Sequence, residues 1–341
     1  MITREVASPK LKDLFVFKNH KKDLIFANKI LEKTEIIGSG KGAIALILKY
    51  LKNKKIINNK LDEVFVPDWL GYWVYNQVHE FAFPVKKISE KTKVLFAYHQ
   101  YGFPQDMDKI LEFAKEKNLI VIEDCAHAID SYYKGKRLGT FGDFTIYSFS
   151  KWFFCFALGG VNSKFDDFQD YAKKEMSSAP LFLTLIKDLS KILYEKNAKS
   201  NNNFLKKYYE FFTRMSYSIY SNALKPTNLA KRLLFFKIEN EINIRQKRYR
   251  YFLDKTKDLK ICGHLEKEGI TPYLIPIRYP ESKSEKLIKE LSKINISAGI
   301  YHFDINRNLL SPNFVKCVCL PCHGGMSDEK FNDMVEIIIK I

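Results

Sequence analysis

Asp124 and Lys151 are the first side chains in this chain whose types and spacing could do chemistry. Asp124 closes the run Leu119-Ile-Val-Ile-Glu-Asp124, and Lys151 follows the strand-like run from Phe144 to Phe149 as Ser148-Phe-Ser-Lys151. The first run is apolar and rich in β-branched residues, the pattern of a strand buried on both faces. A carboxylate at such a strand end needs a cation. Two strands ending in one crevice would bring the acid, the Ser148 hydroxyl and the amine together. A third element offers anion chemistry: Ile36-Ile-Gly-Ser-Gly-Lys-Gly-Ala is a glycine-rich turn feeding an apolar helix, and exposed amides at a helix start make a phosphate cradle. It is neither a Walker A sequence nor a G-x-G-x-x-G.

The elements that must position these groups can be read around them. Strands are expected at 63–67 and 94–97, and an amphipathic helix at 106–117 leads back to the strand ending in Asp124, which is a βαβ unit. Asp68-Trp-Leu-Gly-Tyr-Trp73 puts aromatics just past a strand end, where open α/β sheets bind ligands and a ring can stack. After Gly160 the character changes. Residues 165–225 are rich in Lys, Tyr, Phe and Leu, with Leu181, Leu185, Leu189, Ile192 and Leu193 at helical spacing and a loop expected at 199–203. A charged helix at 237–257 leads into a strand at 273–278 and helices at 284–293 and 328–340. The domains expected are thus 1–225, with a divergent helical region at 165–225, and 226–341.

With 341 residues, 46% hydrophobic and 28% charged, the chain can bury a large core. Its net charge of +17 is spread along the whole length, the distribution of a solvated lysine-rich surface rather than of a nucleic-acid groove. Phe204-Leu-Lys-Lys-Tyr-Tyr-Glu-Phe-Phe212 interleaves charges with rings, but at the spacing of a packed helix rather than of a stacking platform. Six cysteines and a charged N-terminal stretch point to free thiols in a reducing, cytoplasmic setting, and no apolar run reaches the roughly 18 residues of a membrane span. Cys317-Val-Cys-Leu-Pro-Cys-His323 contains the C-x-x-C-H of haem attachment and four zinc-type ligands. Haem attachment belongs with export, and four ligands within so short a run would strain a zinc site. The segment reads as buried thiols in a strand, with no metal.

Together the segments resemble the DegT/DnrJ/EryC1/StrS sugar aminotransferases, pyridoxal-phosphate enzymes of the aspartate aminotransferase fold. The resemblance rests on Ser39-Gly-Lys-Gly-Ala-Ile, Val64-Phe-Val-Pro67, His99-Gln-Tyr-Gly-Phe-Pro-Gln-Asp-Met-Asp108, Val121-Ile-Glu-Asp-Cys-Ala-His-Ala128, Tyr133-Lys-Gly-Lys-Arg-Leu-Gly-Thr-Phe-Gly-Asp143 with Ser148-Phe149, and Leu320-Pro-Cys-His-Gly-Gly-Met-Ser-Asp328. It covers nearly the whole chain and is most specific from 94 to 149. It implies an α/β fold with a mostly parallel central sheet sandwiched by helices, a smaller α+β C-terminal domain, and pyridoxal 5'-phosphate as cofactor. Asp124 would hold the ring nitrogen's proton, and Lys151 would join the aldehyde and shuttle the substrate proton. The turn of Ser39, Gly40 and Lys41, with the Ser148 hydroxyl, would receive the phosphate, and His127 would meet the phenolic oxygen. His302, in what would be a substrate-side loop, is a substrate contact.

This chain departs from the family pattern at three places. Its lysine follows the strand as Ser-x-x-Lys rather than Ser-x-x-x-x-Lys. Gly71 stands where a stacking aromatic is expected, leaving Trp69 or Tyr72 for that role. The Asn-x-x-Met segment that reaches the partner's phosphate survives only as Asn222. The activity implied is transfer of an amino group from glutamate or glutamine to a keto sugar nucleotide, by a homodimer, for surface polysaccharide or glycan synthesis. Two alternatives stand beside it: a transaminase of a small phosphorylated ketone or other carbonyl compound, and a catalytically degenerate member with a binding or regulatory role.

Overall fold

A computed structural model describes residues 21–155, 157–178 and 203–341, together with Val6 and a scatter of positions between 182 and 193. The chain runs α1 (Lys21–Ile30), β1 (Glu35–Ile37), α2 (Gly40–Asn53), β2 (Glu63–Phe65), α3 (Tyr72–His79), β3 (Phe83–Val85), β4 (Thr92–Tyr98), α4 (Met107–Glu116) and β5 (Ile120–Asp124). A small hairpin of β6 (Tyr132–Tyr133) and β7 (Lys136–Arg137) precedes β8 (Phe144–Tyr147), β9 (Gly159–Ser163) and α5 (Phe168–Glu175). The described elements continue with α6 (Asn203–Ile219), α7 (Asn228–Lys255), β10 (Ile275–Ile277), α8 (Glu281–Lys293), β11 (Gly299–Asp304), β12 (Phe314–Leu320) and α9 (Asp328–Lys340).

Seven strands form one sheet in the order β1-β9-β8-β5-β4-β2-β3. All pairs from β8 to β3 are parallel, and β9 runs antiparallel to both its neighbours. Side chains alternate across a strand, so a sheet covered on both faces needs apolar residues at every position. β4 meets that demand. Val94 and Phe96 join a core under α2 with Ile44, Ile47, Leu48 and Leu51, while Leu95 and Ala97 join a second core with Met107 and Ile110 of α4 and Leu233, Ile238 and Ile242 of α7. β10, β12 and β11 make a separate antiparallel sheet backed by α8 and α9. This is the mostly parallel sheet between helices, with a smaller α+β unit, that the sequence implied.

The long charged helix begins earlier than its charge pattern indicated, at Asn228, because the Thr227 hydroxyl caps it by accepting the Ala230 amide. Cys317 and Cys319 lie buried in β12 with Cys322 just beyond, and the six cysteines are free thiols. Leu181 and Ile192 of the leucine series, and residues 199–202 of the expected loop, lie outside the described residues, whereas Leu185, Leu189 and Leu193 are helical and Asn203 opens α6 rather than ending a loop. α6 buries less than a packed helix would: Phe204 is 74% and Phe211 58% exposed, since only its inner side faces the protein.

One side chain of α7 ties the pieces together. Arg245 is fully buried, its Nε donates to Glu241 at 2.6 Å, and its remaining nitrogens reach the carbonyls of Tyr273 at 2.7 Å, Pro272 at 3.2 Å and Trp152 at 3.3 Å. Trp152 follows Lys151 directly and Tyr273 precedes β10, so this guanidinium clamps the two sheets against each other. Removing one member of a buried ion pair strands the other, at a cost of about 3–5 kcal/mol. Arg245→Met should lower the unfolding free energy by about that much in denaturant titrations, and a loss under about 1 kcal/mol would show that the clamp is dispensable.

Candidate active site

The register of the parallel strands sets the site. Tyr98 of β4 pairs with Asp124 of β5, and Asp124 with Ile146 of β8, so three strands finish level at their C-terminal ends. Beyond β8 the chain turns through Phe149–Lys151, and the buried Trp152 indole donates to the Ala126 carbonyl at 3.0 Å. That bond draws the turn toward the loop after β5. The short Ser-x-x-Lys spacing therefore still delivers the Lys151 amine to the strand ends, 3.0 Å from His127 Nε2. Asp124, His127, Ser148 and Lys151 line one cavity of about 570 Å³.

Ser39, Gly40 and Lys41 line the same cavity. The Ser39 hydroxyl caps α2 by accepting the Gly42 amide at 2.9 Å and donates to the Tyr220 carbonyl at 2.5 Å. Gly40 faces Ser148 so closely that a Cβ there would meet the serine Cβ at 3.0 Å and Oγ at 3.3 Å. The absence of a side chain lets the start of α2 approach Ser148 closely, so that helix-start amides and a hydroxyl line the cavity together, which suits a phosphate. A buried carboxylate, an amine and this cradle on one cavity are the donor set that a phosphorylated pyridine aldehyde requires, so the residues present fit pyridoxal 5'-phosphate.

Burial pushes the Asp124 carboxyl up, and the opposing pull of the Lys151 charge, the Ala126 amide at 2.8 Å and His99 does not cancel it. Its neighbour Glu123 behaves differently. Burial raises it too, but hydrogen bonding and charge from His99, with the amides of Gly139 and Gly142, outweigh burial and hold it below the usual carboxylate range. The His127 imidazole is held well below its usual value by burial and by the charges of Lys151 and Arg245, so it stays neutral. Its Nδ1 lies 2.5 Å from the Tyr98 hydroxyl, and its ring stacks on Tyr273 at 4.1 Å. When Lys151 is protonated, Nε2 accepts and Nδ1 carries the hydrogen.

The aromatics sort themselves unevenly. Trp69 lines the cavity and stacks on His302 at 3.7 Å, whereas Tyr72 is 68% exposed and rests edge-on against Trp73. His302 lies in strand β11 rather than in a loop, and Tyr301 beside it lines the cavity. Asn222 sits beside the cradle of its own chain, with its carbonyl where a Cβ on Gly42 would stand. Sequence reasoning missed Tyr98, Tyr101, Tyr273 and the inner side of α6, where Tyr209, Thr213, Ser216 and Tyr217 also line the cavity. Tyr98 could have been found as the last residue of its strand; the others come from distant segments with no local mark.

The fold and this cavity bring a buried carboxylate, an amine and helix-start amides together at the ends of three parallel strands. Residues 85–176 match the model of the DegT/DnrJ/EryC1/StrS aminotransferase family. The GDP-perosamine synthase of Escherichia coli O157:H7 is 56% identical over 64 residues, 19% of this chain and 18% of that protein. The dTDP-3-amino-3,6-dideoxy-alpha-D-galactopyranose transaminase of Aneurinibacillus thermoaerophilus is 47% identical over 64 residues, again 19% and 18%. The chain thus spans less than a fifth of the length of these curated relatives. Among solved structures, Helicobacter pylori PseC, an aminotransferase involved in the biosynthesis of pseudoaminic acid, overlays with a TM-score of 0.66 at 16% identity, covering 99% of this chain and 97% of that one. A Brucella abortus DegT DnrJ EryC1 StrS aminotransferase gives 0.60 at 15% identity, with 95% and 91% covered. Residues 85–176 are thus similar to the DegT/DnrJ/EryC1/StrS aminotransferase family, and over its whole length the chain shares the fold of those solved structures.

Because the Glu123 carboxyl is depressed in the folded state, its stabilisation is complete above the unfolded value of about 4.3 and is lost as pH falls through the folded value. Glu123→Gln should be about 1–3 kcal/mol less stable at pH 7, and the gap should narrow on acidification below about pH 4. A gap that stays constant down to pH 3 would contradict the role given to this carboxylate.

Proposed function

We propose that this chain is a pyridoxal 5'-phosphate-dependent aminotransferase that moves an amino group from glutamate or glutamine to a keto sugar carried on a nucleotide. The observation that carries this reading is the convergence of Asp124, Lys151, the start of α2 at Gly40 and Lys41, and Ser148 on one cavity. When bound, the cofactor supplies a conjugated ring that accepts the electrons released as the substrate C–H bond breaks. Asp124 holds the proton of the ring nitrogen, a role suited to a buried carboxyl that lacks Glu123's ring of donors. The amides of Gly40 and Lys41 and the Ser148 hydroxyl hold the phosphate. Lys151 would hold the cofactor's aldehyde and carry the proton at the reacting carbon, with neutral His127 as its hydrogen-bond partner at 3.0 Å.

The names of the matched relatives support a sugar-nucleotide acceptor. We further read the protein as a cytoplasmic homodimer serving surface polysaccharide or glycan synthesis; among the described residues no helix is long and apolar enough to cross a membrane.

The purified protein should bind pyridoxal 5'-phosphate with a visible absorbance band that glutamate or glutamine bleaches and a keto sugar nucleotide restores. Lys151→Ala should lose at least about 10²-fold in transfer rate, and Asp124→Asn about 10²- to 10³-fold, with the fold intact by circular dichroism. A protein that takes up no cofactor overturns the reading. Bleaching that small keto acids reverse but keto sugar nucleotides do not would overturn the substrate assignment.

A further inference from the structure

The cradle lysine has two ends with different surroundings. Its amide belongs to the start of α2, and its side chain leads away to the mouth of the cavity. There Nζ lies 4.5 Å from the ring centre of Tyr217 and 5.2 Å from that of Trp73, two rings stacked on each other at 4.8 Å and 12°. Both rings are partly open to solvent, Trp73 at 49% and Tyr217 at 41%, so the clamp stands at the entrance and not on the floor.

Resting on the function proposed above, we propose that the Lys41 ammonium, seated beside the stacked rings of Trp73 and Tyr217, binds the diphosphate of the sugar nucleotide, while the cofactor's phosphate is left to the amides of Gly40 and Lys41 and to Ser148.

Three observations converge on this assignment. Lys41 donates to the Tyr217 carbonyl at 2.8 Å, which uses one of an ammonium's three N–H bonds. Among the described residues no carboxylate lies within ion-pair distance of it, although most buried charges are paired. Burial lowers its pKa to about 8, which marks a charge only partly compensated yet still present at neutral pH. An anion placed here recovers what burial costs, and the two neighbouring rings hold the cation without neutralising it. The direction is also right. A sugar whose carbonyl reaches Lys151 at the strand ends would leave its diphosphate toward the solvent-open side of the same cavity, which Lys41 lines together with the exposed Trp69.

Two other roles compete: Lys41 Nζ could serve the cofactor's phosphate, or it could only cap the last turn of α6. They are separated by titrating the holoenzyme with UDP, GDP and dTDP, followed by tryptophan fluorescence, beside a spectral titration of the apoprotein with pyridoxal 5'-phosphate. In Lys41→Met, which keeps an apolar stem of similar length beside the rings, the tightest of the three nucleotides should bind roughly ten- to hundredfold more weakly, with a flatter salt dependence. Cofactor affinity should change by less than about threefold, because the amide remains, and Lys41→Arg should recover most of the nucleotide affinity. If cofactor affinity falls instead, the amine belongs to the cofactor. If only the melting temperature falls, Lys41 is a helix cap; either outcome overturns the proposal, as does a wild-type protein that binds none of the three nucleotides. A wild-type protein without cofactor affinity sinks the enzymatic reading, while the nucleotide titration on that apoprotein still decides Lys41.

Discussion

Two adjacent carboxylates at the end of one buried strand set the terms for the rest of this molecule. Successive side chains of β5 point to opposite faces, so Glu123 and Asp124 cannot share an environment. Glu123 faces a complete set of donors: His99 at 3.0 Å and the amides of Gly139, Phe141 and Gly142. The second ring nitrogen of His99 accepts the Gln105 amide, so the imidazole is engaged on both sides. The grouping of His99, Glu123 and Cys125, which has the composition of a metal site, is thereby knitted into the fold by hydrogen bonds. Asp124 has one amide and a neighbouring lysine, and it faces the cavity. The first acid fixes the strand end; the second remains for chemistry.

Placing a cavity there requires walls from far along the chain. Tyr273 supplies the ring on which His127 stacks, and its carbonyl is held by Arg245, which also holds the carbonyl of Trp152 next to Lys151. The same buried guanidinium therefore joins the two sheets and holds both the residue after Lys151 and the ring beneath His127. Gly102, at φ +97, allows the loop after β4 to pass Thr271, whose carbonyl would lie 2.5 Å from any Cβ at that position. Stability and site geometry share these contacts, so a substitution here would alter both.

Sequence made the local parts legible. The β-branched run ending in Asp124, the glycine turn before α2 and the βαβ unit between them each carry a periodic or conformational signature that survives without tertiary context. The ends of elements were less legible, as at Asn228, where a single capping hydroxyl outweighs the charge pattern. Least legible was how Lys151 reaches the site on a short turn, because the cause is one indole bond from Trp152 to Ala126. The clamp of Lys41, Trp73 and Tyr217 was also hidden, since its members come from three helices. Tyr72 and Trp73 illustrate the limit: neighbouring aromatics of similar character, one outside the cavity lining and one within it, divided only by which way α3 turns.

The central claim is that Lys151, in spite of its shortened spacing, is the amine that captures the cofactor. Borohydride reduction of the cofactor-loaded protein, followed by proteolysis and mass spectrometry of the modified peptide, tests it directly. The account predicts a single pyridoxyl label on Lys151. A label on Lys41 or another lysine, with Lys151 unmodified, would contradict it.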